Sequence, residues 1–310
     1  MREKASGMPL GTLRGVSQVD FQSDWRTAIC FVIALFAGGW QFGVFGLLGT
    51  VVATLTAWVL GASKDRLTAG LEGFNGTLIG VALVLYFDAR WITVLLVIAG
   101  AIMGSVLTSA LNSLLTPLNL PTFTAPFCAV TTVMLVGAPS YERIWHGRAY
   151  AAPPSAAHPG ASVTFSDLWQ GLFNGIGQVF FQGTWYVGLI FLIGLAFAGW
   201  MVAAAALVSS AVGIVVAILL GAHAADIGAG LYGYNAVLTG IALCGTFVRP
   251  TTLGLAYAVA GAVSATVLTA SVANLFAPVG GHTLTWPFVV VTWIFLAAVP
   301  VLSGVRRVPT

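Results

Sequence analysis

The chain has 310 residues, of which 58% are hydrophobic and only 7% are charged. Soluble domains carry roughly 25% charged residues, so a soluble protein of this composition could not cover its surface. The net charge of +3 is also too small to indicate a nucleic-acid partner.

Charged residues are absent from four long stretches of the chain. A helix needs about 20 predominantly apolar residues to cross the hydrocarbon of a bilayer, so each stretch has room for more than one crossing. The pattern predicts an all-α polytopic membrane protein surrounded by membrane lipids. The uncharged stretches are 27–63, 91–141, 168–225 and 250–305.

The basic residues near the two ends predict the topology. Arg2, Lys4 and Arg14 precede the first apolar run, and Arg306 and Arg307 follow the last one. The positive-inside rule then predicts cytoplasmic termini and an even number of crossings. We also expect a location in the inner (plasma) membrane. We expect no cleavable signal peptide, because the first strongly apolar run begins only near residue 27 and continues into a second span.

The chain opens with a polar approach to its first two predicted spans, and this approach recurs in the second half of the chain. Gly15-Val-Ser-Gln-Val-Asp-Phe-Gln22 corresponds to Gly175-Ile-Gly-Gln-Val-Phe-Phe-Gln182. Each copy leads into a pair of apolar segments that we interpret as membrane spans with closely packed small residues. The predicted pairs are 26–41 with 44–62, and 185–201 with 203–221.

A glycine-rich segment follows each pair. Residues 69–83 recur as 229–243, with the same spacing as the polar approaches, and each copy contains an asparagine, Asn75 or Asn235. Glycine-rich backbone is tolerated within a membrane only where protein buries it or it lines a cavity. We therefore predict a re-entrant half-helix in each copy, at a site of permeation. The alternative is a glycine-rich crossing without a polar function.

Spans at 91–111 and 252–272 come next, and each leads to a second repeated element. Thr124-Ala-Pro-Phe127 corresponds to Thr285-Trp-Pro-Phe288, one position later than the spacing of the earlier motifs. Proline removes a backbone donor and disfavours helix in the residue before it, which predicts a further helix break. A helix start with proline at an early position is the alternative, and both can hold.

The polar stretch between the halves predicts the domain organisation. We expect a first repeat at 1–140, an extramembrane linker at 141–167 and a second repeat at 168–310. With five spans and one half-helix in each repeat, the first half would end on the side of the membrane opposite to its start. The two repeats would then be inverted relative to each other.

The side chains in these segments favour transport over catalysis. The three cysteines lack metal-ligand spacing and the four histidines fall at loops or span ends, so we expect no metal, no cofactor and no enzyme activity. Asp20, Glu72 and Asp226 lie near predicted helix ends, where an interfacial or capping role is expected. Duplicated neutral groups beside aromatic rings instead favour a small, planar, uncharged solute with N–H donors.

These motifs, twice over and in the same order, resemble the urea transporter family. The resemblance rests on the Gly-x-x-Gln-Val entry, the Gly-Leu-x-Gly-[Phe/Tyr]-Asn half-helix and the Leu-Pro-x-x-Thr-x-Pro-Phe break or its close variant. It implies a homotrimer whose protomers each hold a passive urea channel at the interface of the two inverted repeats.

The resemblance also implies which residues bind urea. A first slot would consist of Gln18, Phe21, Phe74 and Leu78, and a second slot of Gln178, Val179, Tyr234 and Leu238. Thr124 and Thr285 would lie at the constriction between the slots. For the two leucines, ordinary packing is the alternative.

The chain departs from the family pattern at three positions: Asp20, Glu72 and Tyr234. Two other functions remain open on sequence alone. One is a channel for ammonia or short amides, although the predicted spans lack the histidines that an ammonia channel would be expected to carry. The other is an ion-coupled secondary transporter of a small neutral solute, which would use Asp20 or Glu72.

Overall fold

A computed structural model describes residues 7–145 and 162–308. The chain divides into two compact units, Met1–Ala149 and Tyr150–Thr310. Within the described ranges the units are helical, and the one strand-like pairing is an antiparallel bridge between Val248 and Arg307. Most of the predicted linker, 141–167, lies outside the described residues.

The first unit contains seven α-helices in its described part. Asp24 starts the second of them, since its carboxylate accepts hydrogen bonds from the backbone N–H groups of Arg26 and Thr27. Pro126 occupies the first turn of the last one, where a missing N–H costs nothing. The helices are α1 (Met8–Ser17), α2 (Trp25–Gly38), α3 (Trp40–Val59), α4 (Lys64–Ala69), α5 (Phe74–Phe87), α6 (Trp91–Leu115) and α7 (Ala125–Gly137).

The described part of the second unit repeats this order of helices at a nearly constant spacing along the chain. Four pairs of helices have equal lengths in the two units: α2 and α9, α3 and α10, α6 and α13, and α7 and α14. The second unit consists of α8 (Phe165–Gly177), α9 (Trp185–Ala198), α10 (Trp200–Leu219), α11 (Ala224–Gly228), α12 (Tyr234–Ile241), α13 (Thr252–Phe276) and α14 (Trp286–Ala298).

Among the described residues, four helices are long and apolar enough to cross a membrane singly, and one bent pair passes the same test together. The bent pair joins Phe165–Phe180 to Trp185–Ala198 at an angle of 72°. These helices confirm an all-α membrane protein, whereas ten crossings stay a prediction. The four single helices are Trp40–Val59, Trp91–Leu118, Trp200–Leu219 and Thr252–Val279.

The predicted spans at 26–41 and 185–201 were placed correctly but are too short to cross alone. Each is a helix of 14 residues, below the roughly 20 that a crossing needs. The polar approach in front of each one is helical as well, as α1 and α8, and the chain turns between the two helices. Phe21 and Phe181 make this turn in left-handed conformations, with φ of 65° and 59°.

Close contact between α3 and α5 positions the glycine-rich segment. A Cβ on Gly49 would lie 2.0 Å from the carbonyl oxygen of Gly76, and one on Gly80 would lie 2.0 Å from that of Phe45. Only glycine allows the two backbones to approach this closely, as at small-residue interfaces in membranes. Nearly all of α5 is therefore buried, and its contact with α3 fixes the position of its first turn within the first unit.

Candidate functional site

Two glutamines occupy equivalent helix breaks, one in each unit. Gln18 Nε2 donates to the carbonyl of Ala69, at 2.7 Å, and Gln178 Nε2 donates to that of Ala229, at 2.9 Å. Ala69 ends α4, and Ala229 directly follows α11. Neither glutamine oxygen accepts a hydrogen bond from the described part of the chain. The amide nitrogen is thus fixed by backbone, while the oxygen remains an acceptor.

The two asparagines of the duplicated segment join three pieces of each unit. Asn75 Nδ2 donates to Thr108 Oγ1 at 3.3 Å and to the Phe123 carbonyl at 3.4 Å, while its Oδ1 accepts from the Phe127 N–H at 3.1 Å. Asn235 does the same with Thr269, Leu284 and Phe288, at 3.2, 3.5 and 3.2 Å. Each buried amide therefore ties the start of one helix to the backbone around the Thr-x-Pro-Phe break.

That break has the same unusual backbone in both units. Phe123 and Leu284 adopt left-handed conformations, with φ of 49° and 46°, directly before Thr124 and Thr285. Both threonines are 1% exposed and stand at the N-cap positions of α7 and α14. The two interpretations of the motif, a break and a helix start with early proline, are both confirmed.

Aromatic residues surround these polar groups. The ring of Phe21 packs edge-on against that of Phe123, with centroids 5.9 Å apart. In the second unit, the Tyr234 hydroxyl donates to the Leu284 carbonyl at 2.9 Å. Tyr234 is thus another link to the backbone of the break, which explains one of the three departures. Phe74, the residue at the equivalent position in the first unit, lacks this hydroxyl.

The remaining predicted site residues are apolar and buried. Leu78 and Leu238 are fully buried, and Val179 is 1% exposed. Packing and solute contact are both compatible with this burial, so their roles stay predictions. In the first unit, Gln18 and Phe21 lie at the break that contacts α5, and Phe74 begins α5.

Sequence reasoning missed a second pair of threonines. Thr131 and Thr292 are fully buried, and their hydroxyls lack a hydrogen-bond partner in the described ranges. They lie two turns of helix after Thr124 and Thr285, on the same helix faces. Because a threonine stands seven residues after each copy of the Thr-x-Pro-Phe threonine, the duplication could have identified this pair from sequence.

Two of the carboxylates for which an interfacial or capping role is expected are buried within the first unit. Asp20 is 1% exposed, and its Oδ1 has no hydrogen-bond partner among the described residues. Its counterpart is Phe180, whose ring stacks on Phe191 with centroids 4.5 Å apart. Glu72 is 5% exposed and accepts from Arg66 Nε at 2.5 Å. Hydropathy placed both residues near helix ends but could not show that neighbouring helices cover them.

Arg14 has a structural role in addition to its predicted topological one. It lies within α1, and its Nη1 donates to the Thr68 carbonyl at 2.9 Å. This bond ties α1 to α4, next to the bond between Gln18 and Ala69. The approach helix is thereby held against the segment that precedes the glycine-rich turn.

Comparisons with known proteins agree with this geometry. A family model described as Urea transporter matches residues 10–300. Proteins named Urea transporter 1 from Capra hircus and Ovis aries are each 31% identical over 305 residues, covering 96% of this chain and 78% of theirs. The protein of that name from Rattus norvegicus is 29% identical over the same coverage.

These matches give no support to an ammonia channel or to an ion-coupled transporter. They span both units, and with them both copies of each motif. The apolar helices agree with an integral membrane protein. This chain therefore belongs to the urea transporter family, and it is a passive transporter of urea rather than an enzyme.

Proposed function

We propose that urea passes through two slots, one supplied by each unit, and through a constriction at two threonines. Each slot combines an amide oxygen, flat aromatic rings and aliphatic side chains. The first slot is Gln18, Phe21, Phe74 and Leu78; the second is Gln178, Val179, Tyr234 and Leu238; the constriction is formed by Thr124 and Thr285.

The orientation of the two glutamines is the observation that carries this proposal. Each amide nitrogen is committed to a backbone carbonyl, at 2.7 Å for Gln18 and 2.9 Å for Gln178. A side-chain amide held in this way presents its oxygen in one direction. Urea has four N–H donors and needs such acceptors when it leaves water.

The chemistry of the slots also accounts for selectivity. A planar solute fits between aromatic rings and exchanges its hydration for fixed oxygen acceptors, at sites weak enough for it to leave again. An ion loses far more solvation free energy on entering such a site than neutral groups return. The slots therefore favour a neutral, flat molecule over ions.

A substitution at each glutamine tests the slots. We expect Gln18→Leu and Gln178→Leu each to reduce urea flux in proteoliposomes by at least about tenfold, because a hydrogen-bond acceptor is lost from the path. Leucine keeps the size but cannot accept an N–H. Flux is measured by stopped-flow light scattering, and thermal unfolding shows whether each variant is folded.

The matched control is Gln170→Leu. Gln170 lies in α8, and its amide donates to Ser166 on the same exposed helix surface. Unchanged flux in this variant, alongside reduced flux in Gln18→Leu, is the result that the proposal requires. A folded Gln18→Leu variant with unaltered flux would remove Gln18 from the slot.

The assembly and orientation follow from the family resemblance and the basic residues. We infer a homotrimer in the plasma membrane, with cytoplasmic termini and two inverted repeats. Mass measurement in detergent tests the trimer, where a monomer would contradict it. Labelling of single cysteines introduced near the two ends tests the topology, where labelling from outside would contradict it.

A further inference from the structure

A cleft with several polar side chains in its lining lies in the first unit, apart from the residues assigned to the slots. It has a volume of about 560 Å³, which is ample for a solute of a few non-hydrogen atoms. None of its lining residues belongs to the slots or to the constriction. The lining consists of Ala62, Arg66, Glu72, Ser109, Asn112, Ser113, Thr116 and Pro117.

The charges of the cleft come from one ion pair. Glu72 has a side chain that is 4% exposed, whereas 38% of the Arg66 side chain is exposed. Arg66 donates through Nε, and its terminal nitrogens make no hydrogen bond within the described part of the chain. The pair is neutral overall. Its carboxylate is buried, whereas its guanidinium is partly exposed and can donate further hydrogen bonds.

Neutral polar side chains from α6 and the turn after it line the same cleft as this pair. Ser109, Asn112 and Thr116 are spaced three and four residues apart, which places them on one helix face. The Asn112 side-chain amide is not hydrogen-bonded to any described residue. Its carboxamide therefore has both a donor and an acceptor to offer.

This polar set is present in only one of the two repeats. Helices α6 and α13 are equivalent and equally long, and alanine occupies the positions of α13 and its following turn that match Ser109, Asn112 and Thr116. Tyr232 and Asp226 replace Glu72 and Arg66. Because the second unit packs with alanine at these positions, packing alone does not explain why the first unit has polar side chains there. The alanines are Ala270, Ala273 and Ala277.

We propose that this cleft is an additional docking site for urea and related neutral, planar amides. The Arg66 guanidinium would donate to the carbonyl oxygen of the solute, while Asn112 and its neighbours would accept from the N–H groups. Because the ion pair carries no net charge, the cleft has no excess charge to attract an ion. Glu72 lies two residues before Phe74, so the site adjoins the first slot along the chain.

This assignment rests on the transport of urea described above. A docking site next to the pathway raises the occupancy of solute at low concentration, but it does not set the rate when the slots are full. Its loss should therefore raise the half-saturating urea concentration and leave the maximal flux nearly unchanged.

The test uses a triple variant that copies the second unit, Ser109→Ala, Asn112→Ala and Thr116→Ala. Urea flux into proteoliposomes is measured over a range of urea concentrations. We expect the half-saturating concentration to rise at least about threefold, since hydrogen-bonding partners are lost. Ser264→Ala is the matched control on α13, where the hydroxyl donates only to the Ala260 carbonyl of its own helix.

A direct measurement accompanies the flux. Selenourea is soaked into crystals of the full-length protein, and its selenium is located by anomalous scattering. We expect selenium in the cleft of the wild type and its loss there in the triple variant, with occupancy of the slots retained in both. Selenium in the slots alone, or an unchanged half-saturating concentration, would overturn the proposal. Absence of flux and of selenium throughout would instead contradict the proposed slots.

Discussion

At the scale of single residues, Asp20 is the most unusual group in the first unit. It is buried at a helix break, and its Oδ1 has no partner within the described residues. Burying a polar group without a compensating hydrogen bond costs about 1–3 kcal/mol in proteins. Because Phe180 fills the same position in the second unit, the fold itself accepts an apolar side chain here.

We therefore expect Asp20→Leu to stabilise the protein by about 1–3 kcal/mol. Thermal unfolding in detergent measures the change, and urea flux should persist. Asp24→Ala is the contrasting variant, because Asp24 caps α2 and pairs with Arg26 at 2.9 Å. Its loss should destabilise by about 1 kcal/mol. If the midpoint of thermal unfolding fell in Asp20→Leu as well as in Asp24→Ala, the Asp20 side chain would be stabilising and the prediction would be wrong.

The duplicated sequence motifs predicted which residue types form the site, but not which hydrogen bonds these residues make. Sequence alone placed Asn75 and Asn235 among polar groups available to a solute. The structure instead commits both amides to three internal hydrogen bonds each. A sequence motif shows that a buried side-chain amide needs hydrogen-bond partners. Only the packing of three chain segments shows which groups those partners are.

At the scale of elements, the contact between α3 and α5 leaves no room for a side chain at Gly49. We expect Gly49→Ala to destabilise by about 1–3 kcal/mol, because the new Cβ would lie 2.0 Å from the Gly76 carbonyl oxygen. Urea flux should fall as well, since α5 carries Phe74 and Asn75 in its first turn. Thermal unfolding and flux are measured on the same preparation.

Gly137→Ala provides the control for that substitution. Gly137 ends α7, and the nearest atom to an added Cβ is 4.0 Å away, in the Tyr141 ring. We expect little change in the unfolding midpoint. If Gly49→Ala were equally well tolerated, the close contact between α3 and α5 would not be needed for the site.

The boundaries of elements show where prediction from hydropathy failed. The predicted spans at 91–111 and 252–272 are helices of 25 residues that continue to Leu115 and Phe276. Asn112 and Asn274, just beyond the predicted ends, lie within these helices and do not stop them. Helix α1 was missed because Arg14 and three glycines make 7–17 look polar, although Gly11 and Gly15 pack directly against backbone.

At the scale of the whole molecule, the duplication sets the organisation. Each unit supplies one glutamine at a helix break, one asparagine joining three segments, and one threonine before proline. The sequence predicted this pairing because the spacing between the two copies of each motif is nearly constant. Differences between the units, at Asp20, Glu72 and Asn112, give the first half chemical features that the second lacks.

The most direct test of the account is urea flux into liposomes that contain the purified wild-type protein, without any ion gradient. Stopped-flow light scattering follows the flux, with protein-free liposomes as the reference. We predict rapid urea entry, well above this reference and unaffected by ionophores that collapse ion gradients. Entry no faster than the reference, with the protein shown to be folded and inserted, would contradict a passive urea pathway.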